Sequence, residues 1–303
     1  TFESSSSVSN SGAISITGNA QLLGNIENAQ RLSIGGTALL GANIKTSGAQ
    51  TYTGPVTLAS DIELTIQHTG GLGTIPLLEF NSTINSDDNT TKRNLTITGN
   101  PSFNDSITNI ETLSITGDAT FESSSSISNS GAITIEGDAQ LFGNIENAQK
   151  LSIGGTSLLK ANIKTTDNIE LIGDTFFGAN STLETANIET QGNVIINAIE
   201  GNSPTEVNIT TNSFTIDKNF ILLNGNVKLN TNLTVGLDIV LLNGNAQTMF
   251  NDGDASDSTK SGIKNLFSYH NSLRTSANKL CPPSFETIPT TMPDGTQIQG
   301  ISA

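Results

Sequence analysis

Residues 1–46 of this chain return almost unchanged as residues 120–165, with eight of the 46 positions differing. A shorter repeat runs inside the long one. AISITGNAQLLGNIENAQ (13–30), RLSIGGTALLGANIKTSG (31–48), NLTITGNPSFNDSITNIE (94–111) and KLSIGGTSLLKANIKTTD (150–167) share one pattern. An apolar residue, Ser or Thr, Ile, any residue and Gly come first. A small residue, Leu or Phe, and a further Ile follow. A period near 20 residues is the mark of a solenoid, in which each unit buries its apolar side only by stacking on the next.

The units predict short strands. In LSITG (113–117), Leu113 and Ile115 alternate with Ser114 and Thr116, the period of two of a half-buried strand. Gly-Asp and Gly-Asn pairs follow (Gly117-Asp118, Gly137-Asp138, Gly18-Asn19) and are expected to supply positive-φ corner residues. Phe121 or Leu141-Phe142 then opens the next side, and Ile127, Ile145 or Ile163 completes the rung. Units of this length are too short for a helix, its turns and a strand. The fold class expected is therefore all-β, a right-handed parallel β-helix with rungs of 18–20 residues over 1–249. Ile16, Ile34, Ile97, Ile115, Ile135 and Ile153 are expected to form one interior ladder. About fourteen rungs would span on the order of 65 Å.

Two segments break the rhythm. Asn85-Ser86-Asp87-Asp88-Asn89-Thr90-Thr91-Lys92-Arg93 reads as a surface loop leaving a corner, and Asp87, Asp88, Lys92 and Arg93 are candidate partner contacts. Gly201 to Glu206 is its shorter counterpart, and insertions on one shared corner mark the variable side of a solenoid. ILLNGN (221–226) and VLLNGN (240–245) form a late local repeat, after which the pattern fades. Residues 250–303 read as a C-terminal cap or lateral flap, with Ile263, Leu266, Phe267 and Leu273 spaced for one helical face. Thr1 has the phase of Thr120, inside a unit, so the chain reads as a piece of something longer.

Apolar residues make up 34% of the chain, below the roughly 45–50% of ordinary domains. That suits a thin fold with a narrow apolar column better than a compact enzyme. The regular alternation and the 12 Phe argue against disorder. The net charge of −15 makes nucleic acid and anionic lipid poor partners, and it keeps long β-structures soluble and apart. Cys281 is the single cysteine, so no internal disulfide or cysteine-rich metal site exists. No apolar run reaches the length of a membrane span, and no signal peptide is visible.

GAQTYTGPVTLASDIELT (48–65), LLEFNSTINSDDNTTKRNLTITG (77–99), the LSIGG and LSITG units, and LNTNLTVGLDIVLLNGNAQTM (229–249) resemble the repeat region of filamentous haemagglutinin-type exoproteins. These are large secreted adhesins of Gram-negative bacteria. The resemblance covers roughly residues 1–250. It implies a right-handed β-helix, export through a dedicated outer-membrane pore, and display at the cell surface. It transfers no active-site residue, and the secretion domain of the family is not recognisable here.

The residues suggest little catalytic chemistry. β-Helix lyases and hydrolases need clustered carboxylates, alone or with Arg and Lys, and here those residues are scattered. Asp252, Asp254 and Asp257 superficially resemble a calcium loop, but position twelve is Ile263 where a Glu is required. They are carried only as a weak metal candidate. His68 and His270 lack neighbouring ligands, and Cys281 lacks a basic partner. Seven N-x-Ser/Thr sequons, the first at Asn81, are what an Asn- and Thr-rich chain produces by chance. Outward positions vary too much for an ice-binding Thr array.

The leading expectation is a non-enzymatic structural or adhesive module without cofactors, extracellular or at the cell surface. Its partners would be neighbouring repeats, other copies of itself, or a receptor or glycan on a host or neighbouring cell. The alternatives are a subunit polymerising end to end through its open sheet edges and a carbohydrate-active enzyme.

Overall fold

The structure, a computed structural model, describes residues 1–67, 77–88, 90–201 and 203–241. The chain divides into two units, Thr1–Thr248 and Met249–Ala303, and the described residues lie in the first. The expected cap or flap at 250–303, Asp252, Asp254, Asp257, His68, His270 and Cys281 all lie outside the described residues.

The described chain is all-β and winds into about twelve stacked coils, a β-solenoid. Each coil has three sides. Face I is a 12-stranded sheet that starts with Ala13–Ile16, Arg31–Ile34 and Gln50–Tyr52 and ends with Ile239–Leu241. Faces II and III together form a 21-stranded sheet. Face II begins Ala20–Leu22, Ala38–Leu40, Val56–Leu58, Ile84–Ser86; face III begins Val8–Ser9, Ile26–Ala29, Ile44–Thr46, Ile62–Ile66, Arg93–Thr98. The two faces fuse in the long strands Glu206–Ile216 and Asn226–Val235. Apart from the small antiparallel pair Ile199–Glu200 with Ser203–Pro204, the paired strands of these sheets run parallel. Twelve coils at ~4.8 Å per step extend about 50 Å, less than the sequence reading allowed. Chain spent on excursions lengthens single coils instead of adding new ones, as where Tyr52 pairs with Phe80 and Ile196 with Leu222.

Alternation drives the inward packing. Ile133 and Ile135 are buried while Thr134 between them faces outward, half-exposed. The isoleucines expected in one ladder occupy two. Ile16 and Ile34 pair on face I and continue into Tyr52. Ile97, Ile115, Ile135 and Ile153 pair in succession on face III. The cause is the placement of the long repeat. Ala13–Ile16 lies on face I, yet its twin Ala132–Ile135 lies on face III. Local pairings are nevertheless preserved: Ile14↔Leu32 matches Ile133↔Leu151, and Ile26↔Ile44 matches Ile145↔Ile163. The second copy is thus the first, turned by one side of the coil.

The interior column is aromatic in its middle. Tyr52, Phe80, Phe103 and Phe121 stack with successive centroid distances of 5.1, 5.3 and 4.7 Å, the spacing that strand pairing imposes. A polar network is buried beside them. The Tyr52 hydroxyl donates to Gln50 Oε1 (3.0 Å), and Gln50 Nε2 donates to Thr46 Oγ1 (3.2 Å) and the Thr65 carbonyl (3.0 Å). Burial holds the Tyr52 hydroxyl un-ionised far above the usual tyrosine range. On face I the outward column reads Ser15, Ser33, Thr51, Glu79, Ser102, Thr120 and Gln140, then changes to Leu158, Phe176, Ile195 and Ile221, which are buried. Those later strands are therefore apolar on both sides.

Corner chemistry differs from the expectation. Gly18, Gly117 and Gly137 do not adopt positive φ; among non-glycine residues Asn10, Asn28, Asn109, Asn129, Asn147 and Asn180 do, with φ between 51° and 59°. Glycine is needed at the Gly-Asp corners for closeness. A Cβ on Gly137 would stand 2.6 Å from the backbone of Gly117 in the coil below. The Asp and Asn that follow carry hydrogen bonds from coil to coil: Asp118 Oδ1 accepts the Asp138 amide at 2.9 Å, and Asp138 Oδ1 accepts the Thr156 amide at 2.7 Å.

Phe103→Ala should cost about 3–5 kcal/mol, read in the urea transition. Asn147→Ala should cost about 1–2 kcal/mol because φ stays positive, while Asn147→Gly is nearly neutral.

Candidate interaction surface

The outward side of face III carries an open concavity. Glu27, Lys45 and Glu63 lie on the adjacent strands Ile26–Ala29, Ile44–Thr46 and Ile62–Ile66, with Thr65 directly opposite Lys45. With Asn25, Asn28, Asn43, Thr65 and Thr98 they line an open groove of about 510 Å³. Two local features shape it. Between Ile26 and Ala29 the register shifts, so Glu27 and Asn28 together oppose Lys45, and Asn28 takes φ 57° to do so. Along the corner between faces II and III, Asn25 Oδ1 accepts the Asn43 amide (3.2 Å) and Asn43 Oδ1 accepts the Glu63 amide (2.9 Å). The groove rim is thereby tied coil to coil.

The excursion at 87–92 leaves the same corner, between Ile84–Ser86 on face II and Arg93–Thr98 on face III. Of the four sequence-predicted contact residues, Asp87 and Arg93 are occupied with each other and Asp88 with Thr90. Asp87 Oδ1 receives Arg93 Nε and Nη2, each at 3.0 Å. Asp88 Oδ1 accepts both the amide and the hydroxyl of Thr90 at 2.8 Å, which holds its carboxyl below the usual aspartate range. The hydroxyl of Ser86 accepts the Arg93 amide (2.9 Å) and donates to the Asn109 carbonyl (2.6 Å), anchoring the loop to the next coil. Lys92 is half-exposed.

The counterpart excursion, with its hairpin Ile199–Glu200 and Ser203–Pro204, leaves from the corner between faces I and II. The two do not share a corner as expected. The same one-side turn that moves the second repeat copy moves its insertion too.

Sequence reasoning found the excursion by its composition and missed the groove. Glu27, Lys45 and Glu63 are far apart in the chain, and only the stacking of their strands brings them to one groove. Among the described residues no group of three or more His, Cys, Asp and Glu side chains is placed to hold a metal ion. No helix among them is long and apolar enough to cross a membrane. Compared with protein-family models, curated proteins and solved structures, the chain matches none.

The strand that follows the excursion is held at its start by Asp61, whose Oδ1 and Oδ2 accept the Asn94 amide (2.9 Å) and side-chain amide (3.0 Å). The Asn94 amide, then the Asn94 side chain, and to a lesser degree Arg93, lower the Asp61 carboxyl below its ordinary value. A lowered folded value means the contact contributes fully above the unfolded pKa and is lost as pH falls through the folded one. The Asn94 amide resonance should therefore titrate with a midpoint below the usual aspartate range, and Asp61→Asn should abolish that titration.

Proposed function

We propose that this chain is a non-enzymatic structural and adhesive module, the repeat region of a large secreted surface protein of the filamentous haemagglutinin type, displayed by a Gram-negative bacterium. One observation carries the reading: the coils are bonded side to side without interruption, and the surface relief they hold up is open and polar. Parallel ladders and the buried column make a stiff support. The groove and the tied excursion at 87–92 lie on one edge of it, where another molecule has access. The acidic surface favours self-repulsion and solubility over nucleic-acid binding.

The purified chain immobilised on beads should retain host or neighbouring cells saturably, and free chain should compete. Absence of retention across a panel of cell types sinks the adhesive part. Release of reducing ends from neutral or acidic polysaccharides would overturn the non-enzymatic part.

A further inference from the structure

Lys92-Arg93 is the one place in the sequence where two Lys or Arg residues adjoin. The bond between them lies where the excursion meets the strand Arg93–Thr98. The two side chains are held differently. The Arg93 guanidinium is seated on Asp87, and the Arg93 amide donates to Ser86 Oγ. Lys92 is half-exposed, outside any strand, and makes no ion pair among the described residues. Asp88, Thr90 and Thr91 before it are exposed.

The other described basic residues are built into the coils. Arg31, Lys45, Lys150, Lys164 and Lys228 sit inside strands. Lys160 and Lys218 lie at corners that are bonded to neighbouring coils. The Lys160 amide donates to the Leu141 carbonyl (2.9 Å), and the Lys218 carbonyl accepts the Leu237 amide (3.1 Å). An endopeptidase takes its substrate as an extended strand, so a bond within a sheet is cut only after that part of the sheet opens. The excursion needs far less opening: the Asp88–Thr90 contacts and the first pairing of Arg93 suffice.

We propose that the Lys92–Arg93 bond is a processing site for a trypsin-like endopeptidase, which seats the Lys92 ammonium and hydrolyses the bond that follows. One water is consumed. Its oxygen goes to the Lys92 carbonyl carbon, which becomes a carboxylate, and the Arg93 nitrogen departs as an ammonium. Lys92 is the residue taken because Arg93 is engaged by Asp87 and the bond after Arg93 lies inside the strand. The proposal is independent of the adhesive reading.

The cut should leave the solenoid whole. It separates residues 1–92 from 93–303, yet each side of the coil bridges the break. Ile62–Ile66 pairs with Arg93–Thr98, Leu77–Phe80 with Asn100–Phe103, and Ile84–Ser86 with Ile107–Thr108. The Phe80 ring stacks on Phe103 across it at 5.3 Å, and Asp61 holds Asn94. Processing thus frees one end of the excursion while its support stays folded.

The test is limited digestion of the full chain with trypsin under native conditions, with cuts located by mass spectrometry and compared over residues 1–241. The first cut there should follow Lys92, about tenfold faster than any other. The pieces should elute together from a sizing column and separate in denaturant. Lys92→Gln should slow cleavage in the excursion about tenfold, and Lys92→Arg should retain it. Unchanged circular dichroism establishes that both variants fold. An earlier cut at another basic residue of this range, cleavage after Arg93 as fast as after Lys92, or equal digestion of Lys92→Gln overturns the proposal. So does parting of the pieces without denaturant, or resistance of this bond under conditions that digest the unfolded chain.

Discussion

The spacing of parallel strand pairing, ~4.8 Å, governs everything else in this solenoid. Each coil satisfies most of its strand amides and carbonyls through the coils above and below. Every side chain therefore has a neighbour in the same position one step away, and positions must tolerate their own kind or a partner. The aromatic rings do so by stacking, Tyr52 through Phe121 at centroid distances near the strand spacing. The corner carboxyls and amides do so by taking the backbone amide of the next coil, as Asp118 and Asp138 do.

Charge obeys the same constraint. Unlike charges on adjacent coils pair, and where Glu170 stands opposite Glu189 the Lys150 ammonium on the other side of Glu170 offsets the repulsion. Lys150 with Glu170 and Lys164 with Glu184 join adjacent coils at 2.7 and 2.6 Å. These are exposed pairs of small individual worth, so their importance lies in which positions they close. Opposite Lys45 stands the uncharged Thr65, in the groove that Glu27 and Glu63 also line.

The long repeat is housed on different sides in its two copies, which says something general about three-sided coils. A unit needs an inward alternation, a corner asparagine and neighbours of the right length; nothing in those requirements names a face. Phe2 bridges Leu22 beside face II, while its twin Phe121 pairs with Leu141 on face I. Phe121 is fully buried there, whereas Phe2, in the first coil with no coil beneath it, is only half-buried. The lengths of the intervening excursions, not the repeat itself, set how far round the coil the second copy starts.

Strand alternation, rung length, the all-β class and the excursion at 85–93 were legible in the residues alone, because they depend on neighbours within a few positions. Which isoleucines share a ladder was not legible, since Ile34 and Ile153 have the same local pattern and differ only in the chain wound between them. Positive φ was expected at Gly-Asp corners and fell on asparagines instead, because crowding by the coil below, seen at Gly137, is invisible to a local turn rule. The groove was likewise beyond the sequence pattern. By itself the sequence determined that the chain must coil and what each rung buries. Only the tertiary structure decided which rungs meet on which side, because that phase accumulates over every residue in between.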